Sequence, residues 1–194
     1  MVRTQITYNL DTSFHMLRHL SCLSDELEKE LLSKGYTKLQ IEESLTAPGS
    51  RFDSPFADSV ALLLDRVFND STFTESAGLN GNVLIHAQIK SERFPTGVGD
   101  CGVVSRRALD EDSRSRIYWK KNRGVALMHL DVPALPRTGE YTLILKPAND
   151  HYIFITAFPG PPAMPLPNPK MSAELLTACR EYWDEHVFLV INSD

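Results

Sequence analysis

Nothing in the 194-residue chain is long and apolar enough to cross a membrane, which takes roughly 18 to 20 such residues. The first residues are polar through Asn9, so the apolar core of a secretory signal is missing; a cytoplasmic location is expected, with export by a signal-free route as the other option. Cysteine is scarce. Cys22, Cys101 and Cys179 are odd in number and far apart, which excludes a disulfide framework and zinc-finger spacing. The histidines are scattered, and the single i, i+4 pair, His15 and His19, lacks the Glu and third ligand of a zinc site. Gly-x-Ser-x-Gly, a dinucleotide fingerprint and kinase motifs are all missing. Phe94 to Asp100 contains glycines but no Gly-Lys-Ser/Thr ending, so it is not a phosphate-binding P-loop. No cofactor, metal or membrane partner is therefore expected.

What is present is a chain with 42% hydrophobic and 23% charged residues, enough to bury a sizeable core. Its net charge of −5 is unevenly spread: residues 1–80 carry −5, residues 81–147 carry +4 and residues 148–194 carry −4. A basic middle segment is suited to a polyanion.

The fold class expected is α+β, a helical N-terminal part over 1–80 followed by a mainly antiparallel sheet domain over 81–194. Ser24 opens a helix with Leu23, Leu27, Leu31 and Leu32 at helical spacing, stopped at Gly35. Thr37 caps a second with Leu39, Ile41 and Leu45. A DNA-reading role for this hairpin is disfavoured, because Lys38 stands against Glu42 and Glu43, the wrong sign for phosphate. Asp53-Ser54-Pro55 marks the start of a third helix, with Val60, Leu63, Leu64 and Val67 on one face, and Asn69 to Gly81 reads as a boundary.

Val83 to Lys90 alternates cleanly as a strand, with His86, Gln88 and Lys90 away from the apolar face. Val125 to Val132, Glu140 to Lys146 and His151 to Phe158 read as an antiparallel meander joined by turn clusters. Pro159 to Pro169, rich in proline, is an extended crossing, and Ser172 to His186 a C-terminal amphipathic helix before a last strand at 187–191.

Metal-free RNA cleavage needs a base for the ribose 2′-hydroxyl, an acid for the leaving 5′-oxygen and a cation or donor for the charge on phosphorus. His86, Lys90 and Thr156 meet that list if their strands are close, with His129 or His151 as a second imidazole. Arg106, Arg107, Arg114, Arg116, Lys120, Lys121 and Arg123 bracket Tyr118 and Trp119, and cations with stackable rings suit single-stranded nucleic acid. From these the substrate-binding set is Arg106, Arg107, Tyr118, Trp119, Lys120, Lys121 and Arg123.

His86 and Lys90 in a first strand, and Thr156 in Ile155-Thr156-Ala157-Phe158-Pro159, resemble the barnase/EndoU/colicin/RelE superfamily of small ribonucleases over residues 82–160. The resemblance implies helices before an antiparallel sheet and a late-strand Thr followed by an aromatic and a proline. It also implies a metal-independent endoribonuclease, a bacterial toxin acting on RNA and held by an acidic inhibitor or immunity protein. A non-catalytic protein-binding adaptor is the rival expectation.

Overall fold

The structure, a computed structural model, describes residues 6–46, 49–54, 56–90, 92–122 and 125–191. In chain order the first elements are β1 (Ile6–Thr7), α1 (Leu10–Met16), α2 (Asp25–Ser33), α3 (Lys38–Leu45), β2 (Arg51–Phe52), α4 (Val60–Asp70), β3 (Ser71–Ala77) and β4 (Val83–Ile89). Then come β5 (Gly99–Asp100), β6 (Val103–Ser105), α5 (Glu111–Ser115), β7 (Tyr118–Asn122) and β8 (Val125–Val132). The chain ends with β9 (Arg137–Thr138), β10 (Glu140–Ala148), β11 (His151–Pro159), α6 (Ala173–Glu185) and β12 (His186–Ile191). The class is α+β with a C-terminal helix.

Contacts group the chain into two compact units, residues 1–100 with 137–162, and residues 101–136 with 163–194. Residue 80 is not where the structure divides. The helices before it and the sheet after it share one core, because Val60, Leu63 and Val67 of α4 are buried in the same cluster as Ile85, Leu143 and Phe154.

The first unit holds a five-stranded sheet in the order β1-β11-β10-β4-β3, in which only the β1–β11 pair is parallel. Side chains explain the helices on it. Ser24 accepts from the Leu27 N–H to start α2, Thr37 and Gln40 form a capping box on α3, and Ser59 accepts from Leu62 N–H to start α4. The turn between the first two is set by Gly35, whose φ of 102° suits a residue without Cβ. Pro55, expected in the first turn of α4, lies outside the described residues, and α4 itself starts at Val60. Truncating Leu63, fully buried in this core, costs about 2–5 kcal/mol by the usual cavity cost.

Two local readings give way to long-range pairing. Ser71 to Ala77, expected as a boundary, is strand β3 on the edge of the sheet, paired antiparallel to β4. Val125 to Val132 is not part of a meander: β10 pairs with β4 and β11, while β8 joins a second sheet.

A register shift between Ile144 and Leu145 leaves Ile155 as the extra residue of β11, a bulge that reverses the alternation there. Phe154 therefore pairs with Leu145 in the core while Thr156 pairs with Ile144, so Thr156 and Phe154 face opposite sides of the sheet instead of sharing one.

A small sheet, β2-β5-β9, completes this unit. Glycine of the 94–100 stretch serves it: a side chain on Gly99 would collide with the Arg51 carbonyl, so glycine is what lets β5 lie against β2. Arg137 clamps the same strands by ion pairs to Asp53 and to Asp100, the latter at 3.0 Å. These carboxylates push the guanidinium pKa above its ordinary value.

The second unit is a four-stranded sheet, β6-β12-β8-β7, with β12 parallel to β8. Ser172 caps α6, whose Cys179 and Trp183 are buried. Its core cluster is small, built on Met128, Leu130 and Val187. The basic segment around Tyr118 and Trp119 contains β7, formed because Tyr118 to Asn122 pairs residue by residue with Val125 to His129.

Candidate functional site

His86, Lys90 and Thr156 all belong to the first unit, and the structure does not bring them together. His86 pairs across β4 and β10 with Thr142, and Thr142 in turn with Phe158; Thr156 stands one step along, opposite Ile144. The imidazole and the hydroxyl thus share a sheet face, with the whole of β10 between them, about 12 Å at ordinary strand spacing and rise. Thr142 fills that gap, fully buried, its hydroxyl donating to the Gly160 carbonyl at 2.9 Å. Lys90 is exposed one residue beyond the end of β4, its backbone N–H donating to Asp70 O.

The partner of His86 is acidic. Its Nε2 lies 3.3 Å from Glu140 Oε2, on an open stretch of sheet beside Gln88, so the charge facing it is negative, the wrong sign for a phosphate contact.

Thr156 lies against the end of α1 instead. The outer edge of β11 is paired with β1 only at Tyr152 and Ile153, and farther along the helix α1 and the turn after it take that place. Met16 seals the edge, its sulfur accepting from Ala157 N–H at 3.2 Å and standing 3.8 Å from the Thr156 hydroxyl. Three residues on, the ring of His19 sits 6.1 Å from that of Phe158, which shares the Thr156 face.

His19 donates Nδ1–H to the Ser50 carbonyl at 3.1 Å, the tautomer a carbonyl partner requires, which leaves Nε2 as an acceptor. Burial drives its pKa down to about 4, against the raising effect of the Ser50 carbonyl, and the positive charges of Arg18, His15 and Arg51 push it further down. Arg51, next to Ser50 on β2, donates from Nη1 to Leu20 O at 3.2 Å, and burial lowers its pKa too. His15, one turn before His19, is likewise lowered by burial first and Arg18 second.

This corner of the first unit collects a neutral imidazole, a second imidazole, two guanidinium groups and a hydroxyl. An anion placed there would raise the imidazole pKa values toward neutrality. Sequence reading missed His19, Arg18 and Arg51. The signal available was the His15/His19 pair, set aside for want of a metal set; among the described residues no group of side chains could hold a metal ion.

All of the remaining residues but His151 lie in the second unit. His129 is not an exposed base: its ring is stacked between Tyr118 at 5.7 Å and Phe188 at 5.6 Å, with Nδ1 held by the Leu127 carbonyl at 3.0 Å. His151, at the start of β11 in the first unit, is held 3.0 Å from Asp150. Arg106 and Arg107 form a single helical turn, and Arg107 pairs with Glu185 at 2.6 Å, so its charge is already met. Arg116 pairs with Asp112 at 3.3 Å. Tyr118, Trp119, Lys120 and Lys121 make up β7, and Arg123 lies outside the described residues.

Comparison with protein-family models, curated proteins and solved structures gave no match.

Proposed function

We propose that the chain is a metal-independent ribonuclease that cleaves RNA by attack of the 2′-hydroxyl, acting at the corner formed by α1, β2 and the end of β11. The observation that carries this reading is His19, a neutral imidazole desolvated near Arg18 and Arg51, beside the strand face that bears Thr156.

His19 Nε2 takes the 2′-hydroxyl proton, a role open to it because it is unprotonated at neutral pH. Arg51 and Arg18 hold the scissile phosphate, and the Thr156 hydroxyl turns from Met16 to donate to a phosphoryl oxygen as charge develops. His15 supplies the second imidazole, protonated once the phosphate raises its pKa, to protonate the leaving 5′-oxygen. The resemblance to the barnase/EndoU/colicin/RelE superfamily supports the same chemistry through Thr156. An acidic inhibitor or immunity protein fits the positive corner.

The test is purified protein with total RNA in the presence of EDTA. Cleavage leaving 2′,3′-cyclic phosphate ends, lost in His19→Ala and kept in His86→Ala, is expected. RNA left intact by the unaltered protein overturns the proposal and favours the non-catalytic adaptor.

A further inference from the structure

The second unit carries a strip that the proposed cleavage site does not use. Strand β7 is the edge of its sheet, with β8 on one side and no strand on the other among the described residues. Trp119 is 59% exposed and Tyr118 37% exposed, both large rings left on the surface of a unit whose core is short of apolar residues. Alternation puts Tyr118 and Lys120 on one face, Trp119 and Lys121 on the other. Each ring is thus followed by an ammonium about 7 Å along the strand, at roughly 3.3 Å per residue. Both lysines are exposed and, among the described residues, neither enters an ion pair, unlike Arg107 and Arg116.

Tyr118 is held rigid. Its hydroxyl donates to Asp131 Oδ1 at 2.7 Å, and its ring ends a pile that runs through His129 and Phe188 to Trp183, the last two 4.6 Å apart and 8° from parallel. A flat surface already ordered in the free protein costs little to dock on.

We infer that β7 is a docking strip for single-stranded nucleic acid, with bases stacking on Tyr118 and Trp119 and phosphates meeting Lys120 and Lys121. Unpaired bases offer π-faces to such rings whatever their sequence, and the lysines supply the charge the backbone requires. A protein strand adding to the same edge is disfavoured, because two adjacent lysines are what blunts edge pairing.

The inference stands apart from the ribonuclease reading, and the probe keeps them separate. Twelve-nucleotide oligodeoxythymidine has no 2′-hydroxyl, so binding to it is independent of cleavage. With the full chain, binding should weaken with salt at a log–log slope of about −0.7 per phosphate contact. Trp119→Ala should weaken it roughly tenfold to a hundredfold, whereas Trp119→Phe, which keeps a ring and controls for folding, should stay within about threefold. Replacing Lys120 and Lys121 together by Ala should flatten the slope by about 1.4. No binding, equal binding by Trp119→Ala, or tighter binding of a twelve-base-pair duplex would each overturn it.

Discussion

Two half-buried histidines of the same unit, His19 and His86, sit in opposite electrical settings. His86 faces Glu140 at 3.3 Å on an open sheet surface, whereas His19 faces Arg18, His15 and Arg51 under the packing of α1 on β11. What separates them is the sign of the neighbours, not strand geometry: His86 has a carboxylate beside it, while an imidazole desolvated near guanidinium groups is kept neutral. A histidine beside a carboxylate on a clean strand is therefore a poorer guide to a phosphate site than a desolvated one near guanidinium groups.

The sharpest break of the comparison is by truncation. His19→Ala should lower RNA cleavage by about 10²–10⁴-fold, the usual worth of a positioned base, and His86→Ala by less than about threefold, read as initial rates on a defined oligoribonucleotide. Thr156→Val keeps the shape of the side chain and removes the donor, and should cost about 10–10²-fold in kcat with KM little changed. Gly99→Ala touches neither histidine, yet it forces β5 away from the Arg51 carbonyl. A lower Tm together with weaker substrate binding is expected from thermal melts and steady-state kinetics.

Acid should sharpen the contrast. The pKa of His19 is depressed on folding, so between about 4 and the ordinary histidine value the unfolded chain binds more protons than the folded one. The stability due to this group is complete above about pH 6.5 and is lost as pH falls toward 4. Denaturant melts at pH 7 and pH 5 should show His19→Gln losing less than the unaltered protein, by on the order of 1–2 kcal/mol. The smallest effect belongs to the other histidine: Glu140→Gln removes a solvent-exposed pair and should move stability by under about 1 kcal/mol at either pH.

The parts legible in the sequence are those specified by neighbours in the chain. Ser24, Thr37 and Ser172 announce their helices through caps, and the turn at Asn149-Asp150 joins β10 to β11. The parts that were not legible depend on distant partners. Ser71 to Ala77 has the polar composition of a loop and is a strand because β4 lies beside it. The reversal at Ile155 follows from the register with β10 and leaves no local mark. The same holds at the site: Thr156 was readable from its motif, but the histidine that accompanies it comes from the α1 end, where Met16 and Thr156 meet across 140 residues of chain. In the second unit the rings and lysines of β7 were readable as a group, while the neutralising of Arg107 by Glu185 was not.

The most direct measurement is an NMR titration of the two imidazoles, His19 and His86, with and without inorganic phosphate. The account predicts that His19 titrates near pH 4 in the free protein and moves upward when phosphate is added, while phosphate at fixed pH leaves the His86 ring resonances unmoved. A His19 that titrates at the ordinary histidine value and ignores phosphate, with His86 responding instead, would contradict it.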